Sequence, residues 1–236
     1  MKLFVYSSSF IDHERSESIC ETLSKKGHVL CDSGEADLIV SLGGDGTLLK
    51  AAQIALKEDK PLLGINCGRL GYLCLLKEEE IDHFDEILEN AVETNRSVLE
   101  CRIDQDSYLA VNEIIVGKIN FGQTVDLSLQ IDEQFQYSVR GDGLIVCTPT
   151  GSTAYNLSAS GPLLEEDLEV TAVTPICAHS KDIRPLVLSD RHAITIRVNH
   201  DHAGIYADGE HIGNSEDKIL VSKAEKKLKL YNQRNT

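Results

Sequence analysis

The spacing of apolar residues changes along the chain, and this change limits the folds that the sequence can adopt. Before about residue 95, short apolar runs such as "DLIVSL" (37–42) and "PLLGIN" (61–66) alternate with segments of helical period. Strands that are apolar on both faces are typical of buried parallel sheets. The first part of the chain therefore predicts an α/β domain with a parallel, Rossmann-like sheet.

Helices are predicted to alternate with these strands along the chain. Residues 14–26 have helical period, and so does the segment that follows the glycines at 43–46. Residues 78–92 form a third amphipathic pattern with acidic residues in its first turn, and its inward positions are Ile81, Phe84, Leu88 and Val92.

Beyond residue 96 the apolar residues alternate with polar ones. "TVDLSLQID" (124–132) has this period of two, and it resumes after a predicted turn at Asp132–Glu133. "AITIRVN" and "KILVSKAEKKLKLY" are further predicted strands. We therefore expect a β-rich domain of packed sheets. The predicted boundaries are 1–97 and 98–236, with a C-terminal segment that can pack back on the first domain.

Composition narrows the possible partners. The 236 residues carry a formal net charge of −15 without a compensating Lys/Arg cluster, which argues against nucleic acid or an anionic membrane as partner. No run approaches the roughly 20 apolar residues that span a bilayer. The seven cysteines form no CxxC pair, so we expect reduced thiols in a cytoplasmic protein. A small anionic ligand remains compatible, because backbone amides can bind phosphate.

The stretch "SLGGDGTLLK" (41–50) places one carboxylate, Asp45, among three glycines between a buried strand and a helix. Ligands of open parallel sheets bind at the carboxyl ends of strands, and glycines let a phosphate reach the amides. The loop is not a Walker A motif, because Gly-Lys-Ser/Thr is absent. Asp45 then has two interpretations. It caps a helix that begins at Thr47, or it accepts a proton from a substrate hydroxyl or holds a metal.

Two more stretches contain polar residues next to, or inside, apolar strands. "RGDGLIVCTPTGSTAYNLSASGP" (140–162) contains a hydroxyl-rich loop that suits a ribose or a phosphate, followed by Tyr155, which could stack on a ring; the alternative is an ordinary polar surface loop. Asn112 and Glu113 interrupt the apolar strand "YLAVNEIIVG" (108–117). Buried there, they require partners, either in the protein or in a ligand.

With these motifs the chain resembles the NAD kinases, whose hallmarks stand here as "GGDGT" (43–47), "VNEIIVG" (111–117) and "DGLIVCTPTGSTAYNLSASGP" (142–162). The resemblance runs from about Asp37 to Asp208. It implies a two-domain fold with the site in the cleft between the domains, and transfer of the ATP γ-phosphoryl group to the 2′-hydroxyl of NAD's adenosine ribose. It also implies Mg²⁺ or another divalent cation and a homo-oligomer, dimer or tetramer, without deciding between ATP and polyphosphate as donor.

The resemblance also implies residue roles. Asp45 would be the proton acceptor, and Asn112 and Glu113 would hydrogen-bond the nucleotide. The residues it implies for cofactor and substrate binding are Gly43, Gly44, Gly46, Thr47, Asn112, Glu113, Arg140, Asp142, Thr153, Ala154, Tyr155 and Ser158. It identifies no metal ligands. Ser160 stands where the family usually has glycine, which implies a tighter or shifted turn.

Parts of the sequence are also compatible with two other functions and with a second site. A non-catalytic dinucleotide-binding sensor would keep the pocket without turnover, and a lipid kinase would share the GGDGT loop, although the chain offers no apolar or basic membrane-binding stretch. His200, Asp201 and His202 form either a metal cluster or, as we expect from their polar context, a solvated hairpin end.

Overall fold

A computed structural model describes residues 1–8, 11–68, 71–199, 202–215 and 217–233. The chain forms two compact units. The first unit comprises Met1–Asn95 and a C-terminal segment from Lys227, and the second unit is Arg96–Lys226.

The first unit is built on one mainly parallel sheet with helices packed against it. The strands and helices along the chain are β1 (Lys2–Ser7), α1 (His13–Lys25), β2 (Val29–Leu30), β3 (Leu38–Gly43), α2 (Asp45–Glu58), β4 (Leu62–Asn66), β5 (Leu76–Lys77), α3 (Phe84–Asn90), β6 (Val92–Arg96) and β19 (Leu228–Asn232). In the sheet the strands lie in the order β2-β1-β3-β4-β19-β6, and β5 pairs with β4. Both β3 and β4 are buried along their whole length, and they pair in parallel with Gly43 opposite Asn66. The loops after these two strands therefore leave the sheet side by side.

The second unit consists of two antiparallel sheets and one short helix. The elements along the chain are β7 (Leu99–Ile103), β8 (Asp106–Ala110), β9 (Glu113–Lys118), β10 (Val125–Ile131), β11 (Gln134–Gly141), β12 (Gly143–Cys147), α4 (Tyr155–Ser158), β13 (Val170–Ile176), β14 (Leu186–Ser189), β15 (Ile194–Val198), β16 (Ala203–Ala207), β17 (Glu210–Ser215) and β18 (Lys218–Lys223). The first sheet has the order β11-β10-β15-β18-β7-β8, and the second has the order β14-β13-β12-β9-β16-β17. One apolar core, with members such as Leu127 and Val146, joins the inner faces of both sheets. The predicted fold, an α/β unit with a parallel sheet followed by a β-rich unit of packed sheets, is confirmed.

Two predicted elements differ from the structure. The helix predicted over 78–92 is a 3₁₀ turn, Glu78–His83, followed by α3, because the backbone of His83 leaves the helical region between them. Three of its four predicted inward residues still pack in the core, whereas Val92 begins β6. The predicted single strand "KILVSKAEKKLKLY" is two strands, β18 and β19, and they belong to different units.

Candidate active site

The glycine loop joins β3 to α2 in the first unit. Gly43 has a φ of +155°, and a β-carbon there would overlap the Thr47 side chain, so the fold itself requires glycine at this position. At Gly44 and Gly46 a β-carbon would meet nothing within 4 Å. The protein does not need glycine at these two positions for packing, and their backbone is open to an approaching ligand.

Asp45 is the first residue of α2, and Gly44 takes the N-cap position. The Asp45 side chain makes no capping bond. Its Oδ2 accepts the Tyr72 backbone N–H at 2.9 Å, and its Oδ1 accepts that of Leu73 at 3.2 Å. The interpretation of Asp45 as the cap of a helix from Thr47 is therefore wrong, because the helix begins two residues earlier and the carboxylate bonds the loop after β4.

This loop is shaped to receive the carboxylate. A β-carbon on Gly71 would overlap the Asp45 carboxyl group, so only glycine lets the loop backbone come so close. Two backbone amides occupy two of the four or so acceptor positions of a carboxylate, which leaves others for a substrate hydroxyl. The position at a helix N-terminus also favours the negative charge. The carboxylate is thus fixed in direction and still able to accept a proton.

Two thiols lie beside this loop. Cys74 Sγ lies 3.8 Å from the Gly43 carbonyl oxygen, and the Cys67 N–H donates to the same oxygen at 3.3 Å. Burial, with the charge of Asp45 second, raises the pKa of Cys74 to about 12, and burial raises that of Cys67 to about 11. Both thiols are therefore protonated at neutral pH and do not act as nucleophiles.

In the second unit, Asn112 and Glu113 lie where the chain enters β9. They are only 8% and 5% exposed, and Asn112 Oδ1 and Glu113 Oε2 have no hydrogen-bond partner among the described residues. Burial, reinforced by the neighbouring Asp208 carboxylate, raises the pKa of Glu113 to about 7. Buried polar atoms without partners are rare in folded proteins, so this pair indicates a binding site for a ligand with hydroxyl or amine donors.

The backbone of these two residues is held on two sides. Thr148 donates its N–H to the Asn112 carbonyl at 2.9 Å and its Oγ1–H to the Val111 carbonyl at 2.6 Å. On the other side, the Asp208 carboxylate accepts three successive amides, from Val111 to Glu113. Sequence reasoning did not assign Asp208 to the site. The signal was available, because Asp-Gly recurs at 45–46, 142–143 and 208–209.

The hydroxyl-rich segment divides into buried and exposed residues. Buried Ser152 and Asn156 hold its shape, since the Asn156 amide donates to the carbonyls of Ser152 and Pro162 and its oxygen accepts the Thr174 hydroxyl at 2.6 Å. The predicted pocket residues have a different environment: exposed Thr153, Tyr155 and Ser158, and half-buried Ala154. The Thr153 hydroxyl donates to the Thr150 carbonyl at 3.3 Å, and the exposed Tyr155 and Ser158 side chains are accessible to a ligand.

The turn after α4 contains Ser160, the serine at a position where the NAD kinases usually have glycine. Ser160 has a φ of +62°, in the left-handed region where glycine is favoured. The next residue, Gly161, lies so close to the Asn156 amide that a β-carbon would overlap it. The serine therefore occupies a conformation suited to glycine, and its turn keeps the left-handed backbone.

Arg140 and Asp142 form a separate group. Asp142 pairs with Lys118 at 2.7 Å, and Lys118, Thr124 and Arg140 line a cavity of about 740 Å³. In the pairing of β9 with β12, Gly117 lies opposite Gly143 and Glu113 lies opposite Cys147. Arg140 and Asp142 are therefore at the other end of these strands from Asn112 and Glu113, roughly 15 Å away at 3.3 Å per residue.

Two further predictions concern metal and membrane. His200 and Asp201 lie outside the described residues, so the expected solvated hairpin end at His200, Asp201 and His202 stays a prediction. The part of the chain that is described contains no group of three His, Cys, Asp or Glu residues suited to a metal ion. None of the described helices is both long and apolar enough to cross a membrane.

Comparisons with known proteins match almost the whole chain. The ATP-NAD kinase N-terminal domain matches residues 7–96, and the ATP-NAD kinase C-terminal domain matches residues 111–233. The chain is 40% identical over 183 residues to a NAD kinase of Caldicellulosiruptor saccharolyticus, covering 75% of this chain and 69% of that protein. It is 36% identical over 242 residues to a NAD kinase of Clostridium botulinum strain Loch Maree, covering 97% and 84%.

Solved structures show the same fold. The structure of a NAD kinase from Archaeoglobus fulgidus in complex with ATP superimposes with a TM-score of 0.86 at 28% identity, over 100% of this chain and 94% of that one. Yeast NADH kinase complexed with NADH gives a TM-score of 0.87 at 22% identity, over 99% and 84% of the two chains.

Proposed function

This chain belongs to the ATP-NAD kinase family, and we propose that it transfers the γ-phosphoryl group of ATP to the 2′-hydroxyl of the adenosine ribose of NAD, forming NADP. The observation that carries the proposal is the environment of Asp45. One carboxylate, oriented by two loop amides, stands at the start of a helix whose first glycines are open to phosphate.

Asp45 would act as the proton acceptor. As the ribose oxygen forms a bond to the γ-phosphorus and the bond to the leaving ADP oxygen breaks, the hydroxyl proton passes to the Asp45 carboxylate and then to solvent. Phosphoryl transfer requires mainly positioning and charge compensation from the protein. The backbone of Gly43, Gly44 and Gly46 would face the phosphates of ATP, since helix N-termini bind anions. The Thr47 N–H already donates to the Gly44 carbonyl at 2.9 Å, so Thr47 would contribute through its position in this turn.

The second unit would bind NAD. The unpartnered oxygens of Asn112 and Glu113 are acceptors for ribose hydroxyls, and Tyr155 offers an exposed ring for stacking, with Thr153, Ala154 and Ser158 beside it. Arg140 and Asp142 would contact the substrate at the other end of β9.

A divalent cation would enter with ATP. The described residues do not supply three converging ligands, so they do not fit a cation site built by the protein alone. Mg²⁺ is commonly bound through substrate phosphates and one or two carboxylates. We therefore propose Mg²⁺-ATP as the donor and assign no catalytic step to protein-bound metal.

The cellular setting is also proposed. All seven cysteines are free thiols, as expected in the reducing cytoplasm, and the family resemblance supports a homo-oligomer.

A coupled assay tests the proposal. Purified protein is mixed with NAD, ATP and Mg²⁺, and NADP is followed with an NADP-specific dehydrogenase. We expect NADP only when all three are present. A protein that binds NAD by calorimetry and forms no NADP would instead be a dinucleotide sensor, and phosphorylation of lipid vesicles without NADP formation would indicate a lipid kinase.

A further inference from the structure

We propose that Asp208 is a positioning residue for NAD binding, which directs the Asn112 and Glu113 side chains through their backbone amides. The inference rests on the proposed function and assigns to Asp208 the amide side of the segment Val111–Glu113, whose carbonyl side Thr148 holds. Asp208 does not contact the substrate in this proposal; it acts through the two residues that do.

The contacts form a closed ring. Asp208 Oδ2 accepts the Val111 N–H at 2.8 Å, and Oδ1 accepts the N–H groups of Asn112 at 2.7 Å and Glu113 at 3.2 Å. The Asp208 N–H in turn donates to the Glu113 carbonyl at 3.1 Å. Three successive amides that face one carboxylate fix the backbone angles of the segment, and these angles set the direction of both side chains.

The geometry of the turn that contains Asp208 does not by itself require an aspartate there. Asp208 and Gly209 link β16 to β17 as a two-residue hairpin turn, with φ values of +48° and +83°. Turns with two positive φ values favour Asn-Gly at least as much as Asp-Gly. Burial raises the pKa of Asp208 even though the three amides lower it, so the turn places a carboxyl group in a buried position that the turn itself does not require. Its hydrogen bonds go to the amides of Val111–Glu113.

The first test compares Asp208→Asn with Asp132→Asn. Asp132 is a matched control, because it lies in the two-residue turn between β10 and β11, has the same φ of +48° and accepts a backbone N–H from Ala193 at 3.0 Å. Asn at 208 keeps the turn but aims an NH₂ group at the Val111 N–H. We expect the dissociation constant for NAD, measured by calorimetry, to rise at least tenfold on Asp208→Asn and less than twofold on Asp132→Asn.

Two kinetic readouts separate positioning from a loss of stability. A structural defect lowers the fraction of active enzyme and reduces kcat alone. We expect Asp208→Asn to raise KM for NAD while KM for ATP changes less than twofold. The pH dependence of NAD binding should also move to lower pH, because Asp208 is the charged group facing Glu113, and Cys147, opposite Glu113 on β12, is a neutral thiol whose pKa burial raises to about 12.

If Asp208→Asn fails to fold, variants of Thr148, which bonds the carbonyl side of the segment Val111–Glu113, test whether the backbone of this segment controls NAD binding. Thr148→Val removes the hydroxyl that bonds the Val111 carbonyl at 2.6 Å, and Thr148→Ser restores it. We expect weaker NAD binding for the valine variant and recovery for the serine variant.

The outcomes for this inference and for the proposed function are distinct. If wild type forms NADP and Asp208→Asn binds NAD as Asp132→Asn does, the inference is overturned and the function stands. Unchanged NAD affinity in Thr148→Val overturns it in the same way. If wild type binds NAD without forming NADP, while Asp208→Asn loses that binding, the proposed function fails and the positioning role stands.

Discussion

At the scale of single residues, Asp45 is the group whose loss should reduce turnover most. We expect Asp45→Asn to lower kcat by about 10²- to 10⁴-fold, the usual contribution of a general base, with little change in NAD affinity. An amide oxygen can serve only one of the two loop amides, so stability should fall by about 1 kcal/mol. The coupled assay, calorimetry and urea unfolding measure the three quantities.

The control for Asp45→Asn lies at the other end of the same helix. Asp59 follows α2 and pairs with Lys229 at 3.0 Å on the surface, so Asp59→Asn should keep normal turnover and lose at most about 1 kcal/mol. A folded Asp45→Asn enzyme with the kcat of this control would remove Asp45 from the reaction.

Glu113 should make the stability of the protein depend on pH. Its pKa is about 7 in the folded state, first because of burial and then because of Asp208, against 4.5 for an ordinary glutamate. The folded state therefore holds the proton more tightly, and the unfolding free energy of wild type falls as pH rises from about 4.5 to about 7. A difference of roughly 2.5 pH units corresponds to about 3 kcal/mol.

Replacing this carboxyl group removes the effect. Relative to wild type, the unfolding free energy of Glu113→Gln should rise by about 2.5 kcal/mol between pH 5 and pH 8, in urea titrations at each pH. Glu133→Gln, at an exposed turn of the same unit, is the control for replacing a glutamate by glutamine. A pH-independent difference for Glu113→Gln would mean that Glu113 titrates as an exposed residue.

At the scale of elements, the segment Thr150–Thr153 is packed against the strand entry that carries Asn112. A β-carbon on Gly151 would overlap the Asn112 backbone, and the Gly151 N–H donates to Thr148 Oγ1 at 3.1 Å. We expect Gly151→Ala to cost about 1 to 3 kcal/mol, as overpacking does, and to raise KM for NAD because Asn112 is displaced. Thermal unfolding and the coupled assay measure both effects.

Gly213 provides the comparison within the same unit. Its added β-carbon would meet only the end of the Ile103 side chain at 3.7 Å, an ordinary contact, and its φ is not positive. Gly213→Ala should therefore leave KM for NAD unchanged. If Gly151→Ala behaved like this control, the close packing against Asn112 would have no bearing on NAD binding.

Helices and strands were predicted correctly from the sequence where a single effect, such as the burial of apolar side chains, determines the structure. Strands β3 and β4 are mainly apolar and buried on both faces, and such runs are typical of strands in a parallel sheet. The start of α2 was mispredicted, because Asp is a common helix cap and only the fold shows the loop amides of Tyr72 and Leu73 beside it. Long-range contacts of this kind have no local sequence signal.

The same limit applies to the candidate site. Asn112 and Glu113 were predicted because polar residues in an apolar strand need partners, which is a local rule. Asp208 was not assigned, because its bonds reach amides almost a hundred residues earlier in the chain. The division of 148–158 into buried and exposed hydroxyls likewise depends on what packs against the segment.

At the scale of the whole molecule, the first unit is assembled from both ends of the chain. Strand β19 lies between β4 and β6 in the sheet, and it contributes the buried side chains of Leu228 and Leu230. The Thr94 hydroxyl donates to the Leu230 carbonyl at 3.1 Å and accepts from the Asn232 amide at 2.7 Å. Residues 1–95 alone therefore lack an interior strand of their own sheet.

This arrangement predicts how fragments of the chain will behave. Residues 1–96 alone should not unfold cooperatively, because β6 loses its neighbour in the sheet and β4 exposes its edge. The same residues joined to 227–233 by a flexible linker of about ten residues should unfold cooperatively. Such a linker has an end-to-end distance of roughly 18 Å, so it lets the added segment reach its place in the sheet. Circular dichroism during urea unfolding distinguishes a cooperative transition from a gradual one.

A third fragment shows whether the strand or merely the added length matters. In the linked fragment, Leu228→Ser and Leu230→Ser together remove two fully buried leucines, each worth about 1.5 to 3 kcal/mol, and leave the length unchanged. This fragment should behave like residues 1–96 alone. If residues 1–96 unfolded cooperatively at the same urea concentration as the linked fragment, β19 would be dispensable, and the first unit could fold before the end of the chain is made. If only the linked fragment with both leucines does so, the first unit depends on β19, and it completes its sheet only after the whole second unit has been synthesised.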